Sequence, residues 1–350
     1  MSSPFPSKRS DPAKADRGSR ITPNARLGRP VLHRARLRAA SIWLGSMILL
    51  TASAGQPADD TAAEGQTPAL EEPIAPIPSP PAADPARLAL GEALFADRRL
   101  SRSNSIACVS CHDVATNGAS RPSPKTAPGG SSIRFNIPTV FNAALSFRLN
   151  WEGNIRTLEE QAEATLESPA TMNSTADEAV RKLNADPQMV SRFVTAYGHR
   201  PDRGAMLDAI ATYERSLLTP DSRFDRWLKG DSAALSGQER TGYELFKSLG
   251  CISCHQGVNV GANLFERHGI FHPLAAPLPE ILRVPSLRNV AVTPPYFHDG
   301  SAATLDDAVR KMAASQLDET LTEAQVDAIV AFLGTLTGRY RGNLLTQARP

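Results

Sequence analysis

The sequence predicts an all-α fold built from two similar helical domains in tandem. Helix-start signals recur along the chain, whereas the alternating apolar and polar positions typical of strands are scarce. Blocks of sequence recur at a spacing of 147 residues, and they include Pro138–Asn142 with Pro285–Asn289 and Thr157–Glu159 with Thr304–Asp306. Such a repeat indicates two copies of one structural unit. The four cysteines also fall into two Cys-x-x-Cys-His motifs, one in each half.

The two motifs predict covalent attachment of c-type haem. They consist of Cys108, Cys111 and His112 in the first half and Cys251, Cys254 and His255 in the second. At this spacing each thiol can add to a haem vinyl group, and the adjacent imidazole ligates the iron. Zinc or redox dithiols are the alternative, but zinc sites usually place histidine further away, and redox pairs usually follow a strand. We therefore predict two tandem cytochrome c-like domains, each with one haem.

The first 54 residues predict a secretory signal peptide with a long basic region. Residues 1–38 contain ten of the 38 Lys and Arg but only two of the 36 Asp and Glu. The apolar run Ala39–Ala54 follows, and it ends in small residues suited to a cleavage site. Sixteen residues are short for a membrane span, so an uncleaved anchor is the less favoured alternative and no stable span is expected. Covalent haem attachment also occurs outside the cytoplasm, and together these features predict a periplasmic protein.

The chain after residue 38 is mildly acidic, with 28 basic and 34 acidic residues and a net charge of −6. This balance argues against nucleic acid as a partner and favours a neutral or cationic protein.

Composition and motifs also predict the domain boundaries. Residues 55–84 are rich in proline, alanine and acidic residues, which predicts a disordered tether. The N-terminal haem domain is expected at 85–232 and the C-terminal haem domain at 233–342, followed by a tail at 343–350.

Individual helices follow from capping signals and apolar stripes. A Gly-x-x-Leu-Phe segment precedes each haem motif, at Gly91–Phe95 and Gly242–Phe246. Capping boxes predict helix starts at Thr157, Ser236 and Thr322. Asp186-Pro187 predicts a further helix ending at Gly198. Two stripes are expected in the core, Met189, Val190, Phe193 and Val194 on one helix and Val326, Ile329, Val330 and Leu333 on the last.

The two halves differ at the second axial position of the haem iron. Met312 follows His255 by 57 residues on a predicted helix, and a thioether is a suitable ligand for a high-potential haem. A buried core methionine is the alternative. The position 147 residues earlier is Thr165, Met172 lies two turns further on, and no histidine occurs between residues 113 and 197. We therefore expect one saturated and one open haem, the arrangement of an oxidoreductase.

With these features the chain resembles the bacterial dihaem cytochrome c peroxidases and the related dihaem enzymes that mature methylamine dehydrogenase, over about residues 85–340. The matching blocks are Leu100–Arg102, Asn136–Asn142, Thr157–Ala162 and Pro295–Ser301. The resemblance implies that Trp151 lies between the haems, that Gln161 lies over the peroxidatic haem and that Met312 is the axial ligand. It also implies a homodimer and a calcium ion between the domains, bound by Asn136, Thr293 and Pro295.

The chain departs from the family pattern at two places. Thr171 stands where the family has a distal glutamate that moves a proton, and loss of such a group typically costs about a hundredfold or more in rate. Glu163 and Glu167 are nearby substitutes that we do not favour. The loop at residues 113–134 lacks the histidine that closes the resting peroxidatic haem in many members. Met312 also differs from the tyrosine ligand of the methylamine-dehydrogenase maturation enzyme.

The leading hypothesis is a periplasmic peroxidase that takes electrons from a cytochrome c or cupredoxin and reduces hydrogen peroxide to water. Electrons enter at the Met312 haem, pass Trp151 and reach the open His112 haem. The second hypothesis is a dihaem oxidase that acts on a protein or small molecule through high-valent iron, which Thr171 favours. The third is a dihaem electron carrier with six-coordinate iron at both sites. His199, His268 and His272 are interpreted as surface or loop residues.

Overall fold

A computed structural model describes residues 72–119 and 135–348, which belong to one compact unit, Gln66–Pro350. The predicted signal peptide and most of the predicted tether lie outside the described residues. Within these two ranges, no helix combines the length and the apolar character needed to span a membrane.

The described chain is predominantly helical. Its α-helices are α1 (Pro85–Phe95), α2 (Leu158–Glu167), α3 (Ala176–Asn184), α4 (Pro187–Tyr197), α5 (Arg203–Ser216), α6 (Arg223–Leu228), α7 (Gly237–Ser248), α8 (Leu305–Leu317) and α9 (Glu323–Gly334). Short 3-10 turns are interspersed, including one at each haem motif.

Two small antiparallel ribbons correct the prediction of a strictly all-α fold. Strands β1 (Phe265–Arg267) and β2 (Ile281–Arg283) pair with each other, as do β3 (Arg339–Tyr340) and β4 (Asn343–Leu344). The fold is therefore helix-rich rather than all-α. Strands of two or three residues are too short to produce a detectable alternating pattern, so the sequence did not predict them.

The predicted helix starts are confirmed by the caps. Thr157, Ser236 and Thr322 each accept a hydrogen bond from the backbone N–H of the third helical residue. The side chain of that third residue in turn accepts one from the backbone N–H of the cap. Each pair satisfies two backbone donors that the helix itself leaves without partners.

The predicted helix after Asp186 is also confirmed, and it ends at Gly198 in the left-handed region with a φ of 79°. Met189 and Phe193 are buried, as expected from their spacing. Val194 is 47% exposed, so its assignment to the core was wrong. Neighbouring residues on a helix point about 100° apart, and only one edge of the predicted stripe faces the core.

The 147-residue repeat corresponds to repeated structure. The equivalent elements are the isolated bridges Leu149–Ile155 and Tyr296–Ala302, the left-handed residues Asn142 and Asn289, and the starts of α2 and α8 at Leu158 and Leu305. The two halves of the chain are therefore built on one plan.

Glycine explains the repeated Gly-x-x-Leu-Phe segment. A Cβ atom on Gly91 would lie 2.0 Å from the carbonyl oxygen of Ala209, and one on Gly242 would lie 1.9 Å from that of Ala328. Helix α1 therefore crosses α5, and α7 crosses α9, at a distance that only glycine permits.

A segment preceding α1 is anchored to the C-terminal half, which corrects the expectation of a disordered tether as far as residues 72–77. Ile74 and Ile77 are each 2% exposed, and Ile74 packs in the core of that half. The Pro73 carbonyl accepts a hydrogen bond from the Gly257 amide at 2.8 Å, and the Ile77 amide donates to Asp225 Oδ1 at 3.2 Å. The free energy gained by burying two isoleucine side chains fixes this segment in place despite its proline-rich composition.

Buried amides connect the two halves. Thr219 donates its backbone N–H to Asn142 Oδ1 at 2.9 Å, and its hydroxyl accepts from Asn142 Nδ2 at 2.8 Å and from Asn289 Nδ2 at 3.0 Å. Asn289 Oδ1 in turn accepts from the Gly338 amide at 2.9 Å. This network joins the equivalent asparagines of the two repeats and positions one half against the other.

Candidate haem sites and the residues between them

Each haem motif forms a compact turn that places its functional groups together. Cys108–Ser110 and Cys251–Ser253 are 3-10 turns. The backbone N–H of His112 donates to the Cys108 carbonyl at 2.9 Å, and that of His255 donates to the Cys251 carbonyl at 3.0 Å. Each histidine therefore closes a turn over the first cysteine of its motif, an arrangement that fits two thioether attachments and one proximal ligand.

The two histidines are oriented as haem ligands would be. Nδ1 of His112 lies 3.1 Å from the Gly118 carbonyl oxygen, and Nδ1 of His255 lies 3.3 Å from that of Val260. A hydrogen bond from Nδ1 leaves Nε2 available for iron. Burial lowers the pKa of both imidazoles, that of His255 to about 4, and so favours the neutral form that binds metal.

The cysteines do not have the lowered thiol pKa of a redox dithiol. Burial raises the pKa of Cys108 to about 12 and that of Cys251 to about 11, whereas thiolate chemistry requires a lowered pKa. In the described ranges, no three His, Cys, Asp or Glu side chains form a group that could hold a metal ion. The residues present fit haem attachment better than either alternative.

The two halves present different side chains at the predicted sixth-ligand position. Met312 is half-buried on α8, and the equivalent position on α2 is Thr165. The hydroxyl of Thr165 accepts a hydrogen bond from Gln161 Nε2 at 3.0 Å. Met172 is 4% exposed and packs in the core of the N-terminal half. The structure therefore offers a thioether in the second half and a hydroxyl–amide pair in the first.

Thr171, in the place of the family's distal acid, is exposed and donates its hydroxyl to the Thr165 carbonyl at 2.5 Å. Thr171 and Gln161 thus both contact Thr165, so the structure brings these predicted distal residues together. Glu163 does not replace the acid, because its carboxylate forms an ion pair with Arg203. Glu167 is exposed at the end of α2.

Trp151 lies where the two halves meet. Its indole Nε1 donates to the Asn136 carbonyl at 2.8 Å, and its own carbonyl accepts from the Arg283 amide at 2.9 Å. The Asn136 amide donates to the His298 carbonyl at 2.7 Å. Asn136 therefore holds the indole ring, and Arg283 of the other half holds the backbone of the same residue.

Two of the three predicted calcium ligands are in contact. Asn136 Nδ2 donates to the Pro295 carbonyl at 2.6 Å. The Thr293 hydroxyl donates to the Val290 carbonyl at 3.3 Å, so its backbone carbonyl would have to serve as the ligand. Calcium binding also requires the Asn136 amide to turn its oxygen toward the ion.

Sequence reasoning missed two buried groups beside Trp151. Arg283 and His298 are 8% and 3% exposed, and the His298 ring lies 6.3 Å from the indole ring between centroids. His298 occupies the position equivalent to Trp151 in the repeat, which was an available signal. Arg283 gave no signal, because the burial of an arginine depends on tertiary packing.

The remaining histidines of the described chain lie in loops, as predicted. His199 pairs with Asp202 and His272 with Asp318, and both are exposed. His268 is half-buried, with its Nε2 2.9 Å from the Pro279 carbonyl oxygen.

Two family models match the chain. Residues 85–233 match di-haem cytochrome c peroxidase, and residues 237–333 match the cbb3-type cytochrome c oxidase subunit III. Two cytochrome c-type domains are therefore present in tandem.

Known proteins resemble the chain over most of its length. Cytochrome c551 peroxidase of Nitrosomonas europaea is 39% identical over 289 residues, which cover 77% of this chain and 85% of that protein. Cytochrome c peroxidase Ccp of Escherichia coli K12 is 38% identical over 300 residues, covering 81% of this chain and 64% of that protein. A solved MauG-like protein associated with microbial copper homeostasis is 26% identical with a TM-score of 0.64, covering 75% and 93%.

The chain belongs to the dihaem cytochrome c peroxidase family, whose members are oxidoreductases. Membership implies two haem c groups, in agreement with the two motifs.

Proposed function

We propose that this protein is a periplasmic peroxidase that reduces hydrogen peroxide to water with electrons from a cytochrome c or cupredoxin. In this proposal the second motif and Met312 hold the haem that receives electrons, and the first motif holds the haem that meets peroxide. The bound haems supply the redox chemistry, and the protein supplies ligands, orientation and electrostatics.

The observation that carries the proposal is the difference between Met312 and Thr165 at equivalent positions of α8 and α2. The Met312 thioether would supply the sixth ligand of one haem and favour electron storage, whereas the Thr165 hydroxyl would supply no such ligand to the other haem and would leave room for a small molecule. Gln161, held by Thr165, can hydrogen-bond to bound peroxide. Trp151, fixed between the halves, provides an aromatic group between donor and acceptor.

Thr171 supports a second candidate function, a dihaem oxidase of a protein or small molecule. Cleavage of the O–O bond needs a group that moves a proton, and a positioned acid or base contributes about 10²–10⁴-fold. With a hydroxyl at this place and Glu163 paired to Arg203, peroxide turnover is slowed and oxidation of another substrate becomes competitive.

Restoring the acid separates these functions. We expect Thr171→Glu to raise the rate of peroxide reduction with reduced cytochrome c by at least about tenfold, because it supplies the missing proton-transfer group. Thr171→Gln is the matched control of similar size without an acid, and it should leave the rate near that of the wild type. A rate unchanged by Thr171→Glu, with the haem spectra intact, would favour the oxidase.

We also propose a calcium ion at the junction, bound by the Asn136 side chain and the Thr293 and Pro295 carbonyls. The contact between Asn136 and Pro295 supports this site, because it brings an amide and a carbonyl from different halves together. Calcium analysis of the protein before and after chelation tests it. A homodimer is part of the proposal on family grounds, and sedimentation measures it.

A further inference from the structure

Arg283 is a buried cation beside Trp151 whose ionic partner is not an amino acid of the described chain. Arg283 is 8% exposed, and burial lowers the pKa of its guanidinium to about 10. A buried charge is costly unless it is paired and hydrogen-bonded. No acidic side chain at residues 72–119 or 135–348 forms an ion pair with Arg283 or raises its pKa.

The hydrogen bonds of Arg283 do not compensate for this burial. Nε donates to the Asn150 carbonyl at 3.0 Å, and one terminal nitrogen lies 3.4 Å from the carbonyl oxygen of Val284. A guanidinium has five N–H donors arranged to bind a carboxylate through two of them. Among the described residues no hydrogen bond to the second terminal nitrogen is seen, and this nitrogen is not one of the fully enclosed polar atoms without a partner. It is therefore the half of the group that an incoming carboxylate could reach.

The internal stretch outside the described residues does not supply the missing charge. Residues 120–134 include Arg121, Lys125 and Arg134 but no aspartate or glutamate. Haem, in contrast, carries two propionate carboxylates, and both haem motifs belong to this chain.

The position of Arg283 points to the haems. Its backbone N–H donates to the Trp151 carbonyl at 2.9 Å. The next residue, Val284, accepts from the Ala262 amide at 2.9 Å, and the carbonyl of Pro285 faces the imidazole of His255. Arg283 therefore joins the tryptophan between the halves to the loop that carries the second proximal histidine.

We propose that Arg283 binds a haem propionate, as a positioning residue that fixes a porphyrin edge beside Trp151 and raises the reduction potential of that haem. A fixed positive charge near the porphyrin disfavours the ferric state, which carries one more positive charge than the ferrous state. The contacts through Val284 and Pro285 favour the haem at His255. The proposal rests on haem attachment and does not depend on peroxide as substrate.

The test is an equilibrium redox titration of the holoprotein without peroxide, so its outcome is independent of the proposed peroxidase activity. We expect Arg283→Gln to lower the midpoint potential of one haem by about 59 mV or more, a tenfold change in the one-electron equilibrium constant. Arg283→Lys, which keeps the charge, should shift it less. The haem whose potential moves identifies the propionate's owner.

A paired arginine provides the control. Arg99 lies in the N-terminal half and forms ion pairs with Asp97 and Asp186. Arg99→Gln should lower thermal stability and leave both midpoint potentials unchanged. The proposal is wrong if Arg283→Gln, like Arg99→Gln, lowers stability but leaves both midpoint potentials unchanged. Arg283 would then serve only to hydrogen-bond the carbonyls of Asn150 and Val284.

An infrared measurement covers the case in which Arg283→Gln does not fold. In holoprotein with ¹³C-labelled propionates, the labelled carboxylate bands should differ between wild type and Arg283→Lys, since lysine cannot form the two-pronged contact. Identical bands in the two proteins would overturn the proposal.

Discussion

At the scale of single residues, the proposed ligation of the second haem by Met312 distinguishes the two haem sites. We expect Met312→Leu to remove the low-spin His/Met signal of the second haem and to lower its reduction potential, because the iron loses a ligand that stabilises the ferrous state. Electron paramagnetic resonance and a redox titration measure both effects.

Met172 provides the matched control for this substitution. It is buried in the core of the N-terminal half, so Met172→Leu should cost less than about 1.5 kcal/mol of stability and leave both haem spectra unchanged. If Met172→Leu, rather than Met312→Leu, changes the spectrum, the ligand assignment is wrong.

Glu214 makes stability depend on pH. It is 7% exposed, and burial followed by repulsion from Glu159 raises its pKa to about 8, against the attraction of Arg215. The folded protein therefore holds a proton that the unfolded chain releases above its ordinary pKa of 4.5. The stabilisation linked to this bound proton is fully present below pH 4.5. It is lost as the pH rises to 8, at about 1.4 kcal/mol per pH unit.

Glu214→Gln should remove this dependence, because the amide has a similar shape and does not titrate. Denaturant unfolding at pH 5, 6.5 and 8 should show a stability difference in favour of the variant that grows with pH. Glu244, whose side chain is 69% exposed, gives the control variant Glu244→Gln, which should not change the curve. Parallel curves for wild type and Glu214→Gln would contradict the account.

Residue-level chemistry was predictable from sequence only where it requires a fixed local spacing. The Cys-x-x-Cys-His motifs are such a case, since attachment and ligation occur within five residues. Arg283 was not predictable, because its role depends on burial beside Trp151, more than a hundred residues earlier in the chain.

At the scale of elements, the helix crossings at Gly91 and Gly242 leave no space for a Cβ atom. Gly91→Ala should cost about 1–3 kcal/mol, because its Cβ meets the Ala209 backbone carbonyl, which cannot rotate away. Gly334→Ala in α9 is the control, because a Cβ there has no neighbour within 4 Å. This substitution should increase the stability of the protein by at most about 1 kcal/mol. Equal effects in thermal unfolding would contradict the close-crossing interpretation.

Helix starts were predictable because a cap and its partner are three residues apart. The ribbons were not, because β1 and β2 are joined by a long loop and contain three residues each. Arg283, the last residue of β2, donates its backbone N–H to the Trp151 carbonyl, so the ribbon also depends on a contact with a residue far away in the sequence.

At the scale of the whole molecule, the segment at residues 72–77 stabilises the C-terminal half. A variant whose mature chain begins at Pro80 should be less stable than one beginning at Glu72 by about 3 kcal/mol or more, because it loses the burial of Ile74 and Ile77. Both should be exported behind the same signal peptide and compared by denaturant unfolding. Equal stabilities would show that the segment only rests on the surface.

The sequence predicted this segment as part of a tether because its proline content resembles that of a linker. The two isoleucines become informative only once the contacts of this segment with the buried Arg288–Asp225 ion pair are known. The repeat of 147 residues, in contrast, was sufficient to predict two equivalent halves, since every repeated block corresponds to an equivalent element.

In the proposed function the two haems differ, because His255 and Met312 would saturate one iron and His112 alone would hold the other. The electron paramagnetic resonance spectrum of the oxidised holoprotein, before and after peroxide with reduced cytochrome c, tests it most directly. We expect one high-spin and one low-spin His/Met signal, followed by oxidation of the cytochrome. Two low-spin haems that do not react with peroxide, even after half-reduction, would contradict it and leave an electron carrier.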